Sequence, residues 1–181
     1  MRKGTKLRGG NTRVALAGEF AVLSQLALRG CDANMTLGNT KSVDILVSNP
    51  ATKRLYQLEV KTNLKKKRKK PFSTSKIHGK AVSAWIMKKA HEKIIIPSLF
   101  YCFVNIEKGS NAIKFYIVPS KVVARYVKEE HALWLKEKKK EGKKIKDSYM
   151  RLFRIGLKEG KPYRISTPTL ERYENNWDFS G

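Results

Sequence analysis

Apolar and polar residues alternate along this chain with two different periods. A helical period runs from about Asn11, where Asn and Thr offer an N-cap, and ends at Gly30. A second helical run begins at Ser120 and continues through a lysine-rich segment to about residue 140. Between these two runs lie short segments rich in β-branched and aromatic residues, separated by turn residues. The pattern predicts an α/β chain.

Five of the short segments predict β-strands. They cover residues 33–37, 42–48, 54–62, 98–107 and 112–119. The first three are joined by turn-rich sequences and predict an antiparallel meander. A further helix is predicted at 79–93, and beyond residue 142 the pattern is irregular, with weak strand signals near 152–155 and 163–165.

The length of 181 residues suits one compact domain, and no internal repeat divides it. We expect a flexible basic arm over residues 1–12 and a core over residues 13–120. A C-terminal helix with a basic extension, residues 121–181, is expected to pack on the same domain.

Charge narrows the class of partner. Lysine and arginine number 39 against 15 aspartate and glutamate residues, a formal net charge of +24. Blocks of positive charge repel one another unless an anion offsets them, so a polyanion is the expected partner. The basic runs KKKRKK and KEKKKEGKKIK lack the large apolar residues of a membrane-surface helix, which favours nucleic acid over a membrane. The alternative is a solvated basic surface.

The two cysteines and the apolar runs restrict the chemistry and the compartment. Cys31 and Cys102 lie in apolar surroundings, fit reduced thiols, and have no metal-finger spacing. No apolar run is long enough to span a bilayer or to act as a signal peptide. We expect a cytoplasmic protein, nucleoid-associated if cellular, with no membrane partner and no small-molecule cofactor.

A predicted hairpin brings two carboxylates together. If the turn NPATKR is symmetric about the bond between Ala51 and Thr52, then Asp44 lies opposite Glu59. In this register the apolar residues share one face, and Lys61 emerges beside Glu59 on the other face. Opposed carboxylates repel, and a divalent cation between them removes the penalty. The alternative is an exposed salt-bridge ladder on a solvated face.

These residue types suit phosphodiester hydrolysis. Asp44 and Glu59 are candidate catalytic residues and ligands of Mg²⁺ or Mn²⁺, which prefer oxygen donors and retain waters that can attack phosphorus. Lys61 is a candidate catalytic residue that orients the attacking water and offsets charge on the phosphoryl oxygens. Glu19 falls on the apolar stripe of the first helix. Either a cation such as Arg13 pairs with it, or it is a further catalytic carboxylate and metal ligand.

Basic residues around this hairpin are the predicted nucleic-acid contacts. One precedes the hairpin, most follow Lys61 in the chain, and two lie just before or at the start of the helix predicted at 79–93. Phosphate contacts of this kind position a backbone without reading its sequence. The set is Lys41, Lys65, Lys66, Lys67, Arg68, Lys69, Lys70, Lys76 and Lys80. The alternative is a solvated loop. The three histidines, His78, His91 and His131, lack mutual metal-ligand spacing and are expected at surface or cap positions.

The arrangement resembles the PD-(D/E)XK nuclease superfamily, which has the restriction-endonuclease-like fold. Glu19 matches the acidic residue of the helix, Asp44 the motif aspartate, and Glu59 with Lys61 the acidic and basic members of the E-x-K element. Val43 stands where many members have proline. The helix followed by a three-stranded meander is similar to archaeal-type Holliday-junction resolvases, and the segment FYIVPSKVVARYV is similar to small uncharacterised bacterial proteins with this core.

The resemblance covers about residues 8–118 and implies an αβββαβ core. It also implies a mixed central sheet flanked by helices, Mg²⁺-dependent cleavage of duplex or branched DNA and, in many members, a homodimer. The predicted function is a metal-dependent DNA endonuclease, with structure selectivity as a refinement. Two alternatives stay open: a DNA-binding module without catalysis on the same fold, and a nuclease that acts on RNA.

Overall fold

A computed structural model gives the fold of residues 10–36, 43–65, 74–75, 79–159 and 165–179. In chain order the elements are α1 (Gly10–Ala27), β1 (Asp32–Met35), β2 (Ile45–Asn49), β3 (Arg54–Lys65), β4 (Thr74–Ser75), β5 (Gly79–Lys88), a 3₁₀ helix (Lys89–Lys93), β6 (Leu99–Glu107), β7 (Ile113–Pro119), α2 (Ser120–Lys140), β8 (Met150–Glu159) and α3 (Leu170–Tyr173).

The strands form two sheets. The larger has the order β1-β2-β3-β6-β7 and is mixed, because β3 and β6 run parallel whereas the other neighbours are antiparallel. The smaller has the order β4-β5-β8. The predicted class, an α/β fold with a mixed sheet flanked by helices, is confirmed, as are all five predicted strands of the larger sheet and both long helices.

The hairpin register is also confirmed. Ile45 pairs with Leu58 and Val47 with Tyr56, which is the pairing centred on the bond between Ala51 and Thr52. All four of these side chains are buried, whereas Leu46 is exposed. The apolar alternation and the short turn therefore select one register together, because a slip of one residue would expose the apolar set.

The helix predicted at 79–93 is wrong. This segment is strand β5 followed by the 3₁₀ helix, and β5 pairs antiparallel with β8. Ser83, Trp85 and Met87 are buried whereas Ile86 is exposed, which is the two-residue period of a strand. The predicted αβββαβ order is therefore wrong at its second helix, where the chain has β4, β5 and a short 3₁₀ helix. The basic C-terminal extension also contributes β8 and α3, not α2 alone.

Both faces of the larger sheet are covered. On one face α1 packs through Val22 and Leu26 against Leu58 and Val60 of β3. On the other face α2, β5 and β8 cover β6, the neighbour of the central strand β3, and Tyr101 and Phe103 of β6 are fully buried. No helix in the described part of the chain is both long and apolar enough to cross a membrane. Cys31 and Cys102 are free thiols.

A close approach between α1 and β3 fixes the height of Glu19 above the sheet. A Cβ placed on Gly18 would lie 1.8 Å from Oγ1 of Thr62, a distance that side-chain atoms cannot adopt. The glycine therefore lets the helix backbone contact the strand directly. The next residue along the helix is Glu19, so this contact sets where that carboxylate lies.

Gly18→Ala should destabilise the protein by about 1–3 kcal/mol because the added methyl overpacks the contact with Thr62. At an exposed helix position, glycine to alanine raises the free energy of unfolding by up to about 1 kcal/mol. A decrease at Gly18 would therefore indicate the close contact with Thr62. Urea unfolding measures the effect. Ser24→Ala, on the exposed side of α1, is the control, and Thr62→Ala should partly rescue the variant. A more stable Gly18→Ala protein would contradict the packing.

Candidate functional site

The candidate site lies where β3 continues past the beginning of β2. β2 starts at Ile45, whereas β3 runs to Lys65, so the second half of β3 has lost its β2 neighbour. There the backbone N–H of Val60 donates to Oδ2 of Asp44 at 2.7 Å. The Asp44 carboxylate thus accepts the hydrogen bond that a carbonyl of a neighbouring strand would otherwise accept from Val60. The sheet geometry holds Asp44 at the margin of β3, directly beside Glu59.

Glu59 is buried on the face of β3 that is opposite α1. Its side chain is 6% exposed, and its Oε1 accepts from Nζ of Lys61 at 2.5 Å. The same oxygen lies 3.2 Å from Nε2 of His91. The other oxygen, Oε2, is buried and makes no hydrogen bond of normal geometry within the described residues. A buried carboxylate oxygen of this kind is an acceptor that an additional cation can use.

The carboxylate of Glu19 reaches the same place from α1. Burial raises the pKa of Glu19, the negative charge of Asp44 raises it further, and the ammonium of Lys61 acts in the opposite direction. These effects require the three groups to be close in space. Lys61 is thus in electrostatic range of all three carboxylates, Glu19, Asp44 and Glu59, and contacts Glu59 directly.

The pKa values of Asp44 and Glu59 are shifted in opposite directions. Burial raises the pKa of Asp44, and the Glu59 charge adds to this, while the Val60 N–H and Lys61 only partly offset the rise. Burial also acts to raise the pKa of Glu59, but the hydrogen bond from His91 and the ammonium of Lys61 outweigh it, and the net pKa is lowered. Negative charge is thus concentrated on Glu59, and protons are retained more readily by Asp44.

His91 is a site residue that the sequence did not reveal. It was expected at a surface or cap position, but it is buried, with Nδ1 3.0 Å from the backbone of Lys88. Because a carboxylate can only accept, Nε2 of His91 must carry the hydrogen that bonds Glu59. No local signal marks this contact, since the two residues lie 32 positions apart. His131 is buried as well and bonds Asp147 at 2.8 Å. His78 lies outside the described residues.

An ion-pair network anchors the 3₁₀ helix that carries His91. Glu92 pairs with the buried guanidinium of Arg151 on β8, and Lys89 pairs with Asp147 at 2.7 Å. Arg151 also donates to the carbonyl of Ser148 at 2.6 Å. The position of His91 therefore depends on residues more than 50 positions further along the chain.

A phenol closes the inner side of the site. Tyr101 of β6 pairs with Glu59 of β3 in the parallel register. Burial and the Glu59 charge raise the pKa of the Tyr101 phenol far above its usual range, so the phenol stays neutral. A neutral hydroxyl that interacts with Glu59 adds no competing charge at the carboxylate.

The predicted nucleic-acid contacts are only partly described. Lys41, Lys66, Lys67, Arg68, Lys69, Lys70 and Lys76 lie outside the described residues. Lys65 ends β3, four residues beyond Lys61, and its carbonyl accepts from the N–H of Lys108 at 2.8 Å. Lys80 lies on β5, where it pairs in register with Thr74.

The arrangement concentrates hard oxygen donors next to one ammonium. Within the described residues, no group of three or more His, Cys, Asp or Glu side chains is arranged to hold a metal ion. Carboxylates on α1, just before β2 and on β3, together with one lysine, are the residue types that a hydrated cation and a phosphate would need.

Comparison with known proteins gives little beyond backbone shape. No family model matches the chain, and no curated protein matches it. Among solved structures it is similar to a bacterial homing endonuclease, I-Ssp6803I, with a TM-score of 0.46 and 14% sequence identity over 93% of this chain and 91% of that chain. The functional argument therefore rests on this chain's own residues.

Proposed function

We propose that this protein is a metal-dependent DNA endonuclease of the PD-(D/E)XK type. The observation that carries the proposal is the meeting of Asp44, Glu59 and Lys61 at the open part of β3, with Glu19 in electrostatic range. The four residues match the superfamily pattern in residue type and chain order, with Glu19 on α1, Asp44 one residue before β2, and Glu59 and Lys61 on β3. A salt-bridge ladder on a solvated face fits less well, because Glu59 is 4% exposed.

The donor set fits Mg²⁺ or Mn²⁺. Asp44 and Glu59 would hold the ion, with Glu19 as a third carboxylate, and Oε2 of Glu59 is a buried oxygen that makes no hydrogen bond of normal geometry among the described residues. Mg²⁺ binds through few carboxylates and keeps several waters, so it does not need a cage made entirely of protein. When bound, the ion supplies an activated water and stabilises charge on the phosphoryl oxygens.

Lys61 would contact Glu59 in the absence of metal and the substrate phosphate or the attacking water in its presence. In this structure its ammonium neutralises Glu59 at 2.5 Å. A cation at Glu59 would weaken that attraction and leave the ammonium able to contact the scissile phosphate or to orient the attacking water. His91, which is buried, would keep its hydrogen bond to Glu59 throughout.

The positive charge of the chain supports DNA as the substrate. A net charge of +24 favours a polyanion, and a run of lysines follows Lys61 closely in the sequence. Contacts of this kind are made to the backbone and suit duplex or branched DNA without a sequence code. A homodimer on such DNA is part of the proposal.

Glu59→Gln should lower Mg²⁺-dependent cleavage by about 10³-fold, because it removes a charge that faces the ion and the phosphate. Cleavage of labelled linear duplex, four-way-junction, single-stranded DNA and RNA is measured with Mg²⁺, Mn²⁺ or EDTA. Glu107→Gln, the same change at an exposed position of β6, is the control.

Three results would distinguish an endonuclease at this site from a DNA-binding module and from cleavage at a different site. Cleavage that is lost in EDTA and in Glu59→Gln supports the endonuclease, and the preferred substrate ranks DNA against RNA. Tight DNA binding without cleavage in any metal would overturn catalysis and identify a binding module. Equal cleavage by both glutamine variants would show that a different site is responsible.

A further inference from the structure

Strand β8 carries two buried ion pairs that hold different parts of the fold. The guanidinium of Arg151 pairs with Glu92 of the 3₁₀ helix, and the guanidinium of Arg154 pairs with Glu130 of α2. The two arginine side chains are 2% and 6% exposed. The pairs are alike in chemistry, burial and strand, but the 3₁₀ helix carries His91 of the candidate site. Comparing the two pairs therefore separates an effect on that site from an effect on the fold.

Arg151 joins the 3₁₀ helix to the part of the chain just before β8. Its Nη1 donates to the carbonyl of Ser148 at 2.6 Å and to that of Met150 at 3.0 Å, while its Nε donates to Glu92. A guanidinium presents its donors in one rigid plane, so these acceptors are fixed relative to one another. Arg151 thus holds Glu92, the residue next to His91, against the backbone that leads into β8.

The other end of the 3₁₀ helix is held by the same part of the chain. The backbone N–H of Lys89 donates to the carbonyl of Tyr149 at 2.7 Å, and its ammonium lies 2.7 Å from Oδ2 of Asp147. The helix is therefore held at its first residue and, through Glu92, at its fourth, with His91 between them. Hydrogen bonds within a 3₁₀ helix have poor geometry, so these outside contacts set its position.

The position of the 3₁₀ helix decides whether His91 reaches Glu59. The backbone N–H of Lys88 lies 3.0 Å from Nδ1 of His91, and Nε2 lies 3.2 Å from Oε1 of Glu59. The second distance is at the upper end of the range for a hydrogen bond, so a movement of about 0.4 Å away from Glu59 would break it. A contact this sensitive depends on how firmly the helix is held.

We propose that Arg151 is a positioning residue for Glu59, acting through Glu92 and His91. The inference rests on the proposed function, in which Glu59 is a metal-binding carboxylate. It makes β8, which follows the predicted core of residues 13–120, a working part of the candidate site. Residues that orient a metal ligand from outside typically change activity by about 10–100-fold.

The two ion pairs on β8 provide a matched pair of variants. Glu92→Gln/Arg151→Gln removes the pair that holds the 3₁₀ helix, and Glu130→Gln/Arg154→Gln makes the same two changes at the pair that holds α2. Replacing both partners leaves no uncompensated charge buried, which limits the loss of stability. Arg151→Lys keeps the charge but loses the planar fork of donors, and it serves as the test variant if the double variant does not fold.

Two measurements are made on each variant, with urea unfolding as the measure of stability. The first is the downfield proton resonance of Nε2–H of His91 in the metal-free protein, assigned by its absence in His91→Leu. It reports the hydrogen bond to Glu59 without any cleavage. The second is kcat and KM for Mg²⁺-dependent cleavage of DNA.

We expect both double variants to lose stability and the one at Arg151 alone to lose the His91 resonance. The Arg151 double variant should lower kcat by about 10–100-fold with KM nearly unchanged, and Arg151→Lys should recover part of this. An unchanged His91 resonance in the Arg151 variants, or equal losses of kcat in the two double variants, would overturn the proposal. If the unmodified protein cleaves no DNA in any metal, the proposed function fails, and the resonance still decides whether Arg151 positions His91 against Glu59.

Discussion

Asp44→Asn should remove Mg²⁺-dependent cleavage and at the same time raise the melting temperature of the metal-free protein. Burial and the neighbouring Glu59 charge raise the pKa of Asp44, which means that the ionised form costs stability in the folded state. An asparagine carries no charge, and its Oδ1 can still accept from the N–H of Val60. We expect a rise of a few degrees, since solvent screens part of the repulsion at this partly exposed group.

The sign follows from proton linkage. The pKa values of Asp44 and Glu19 are raised from ordinary values of 3.8 and 4.5, so just above those values the folded state binds more protons than the unfolded state. The contribution of these two groups to the free energy of unfolding therefore falls as pH increases above those values. Asp44→Asn removes one of the two groups and should flatten the dependence. Calorimetric scans between about pH 4 and pH 8 measure this.

Added Mg²⁺ completes the experiment. A ligand that binds the folded state raises the melting temperature, so Mg²⁺ should stabilise the unmodified protein and have little effect on Asp44→Asn. Asp32→Asn, at an exposed position of β1, is the control and should change neither activity nor the Mg²⁺ response. A lower melting temperature of metal-free Asp44→Asn, together with an unchanged Mg²⁺ response, would refute the like-charge account of this site.

The hairpin was predictable because two independent constraints agree on it. The turn NPATKR sets a centre, and the alternation of Ile45, Val47, Tyr56 and Leu58 sets which face is buried. Both are local, and both fail if the chain slips by one residue. The proximity of Asp44 to Glu59 follows from the same register, so this part of the candidate site could be predicted from the local sequence alone.

The segment 79–93 was not predictable by the same reasoning. Its residues allow a helix or a strand, and the strand forms because β8 supplies a partner whose residues lie about 70 positions away. Trp85 then donates to the carbonyl of Val104 at 3.3 Å, a contact that no local window contains. Tertiary pairing overrides local propensity at such segments. The correction matters for function, because the 3₁₀ helix that follows β5 carries His91.

His91→Leu should lower cleavage by about 10²-fold, an effect typical of residues that orient a metal-binding carboxylate. The variant removes the hydrogen bond to Oε1 of Glu59, which is 3.2 Å from Nε2. That bond is the largest of the influences that lower the pKa of Glu59 against its burial. Without it the pKa of Glu59 should rise, and the acidic limb of the pH profile should move to higher pH. The loss of rate should therefore be greater near pH 6 than near pH 8.

Two variants separate orientation of Glu59 from general damage to the fold. His91→Gln keeps a side-chain N–H and should recover part of the rate, because an amide can also donate to a carboxylate. His131→Leu makes the same change at a second buried histidine, one that bonds Asp147 rather than Glu59, and should reduce stability without moving the pH profile. A double-mutant cycle between His91→Leu and Glu59→Gln gives the coupling directly from urea unfolding, whether or not a substrate is known. Additive effects in that cycle, with an unshifted pH profile, would show that His91 only fills space.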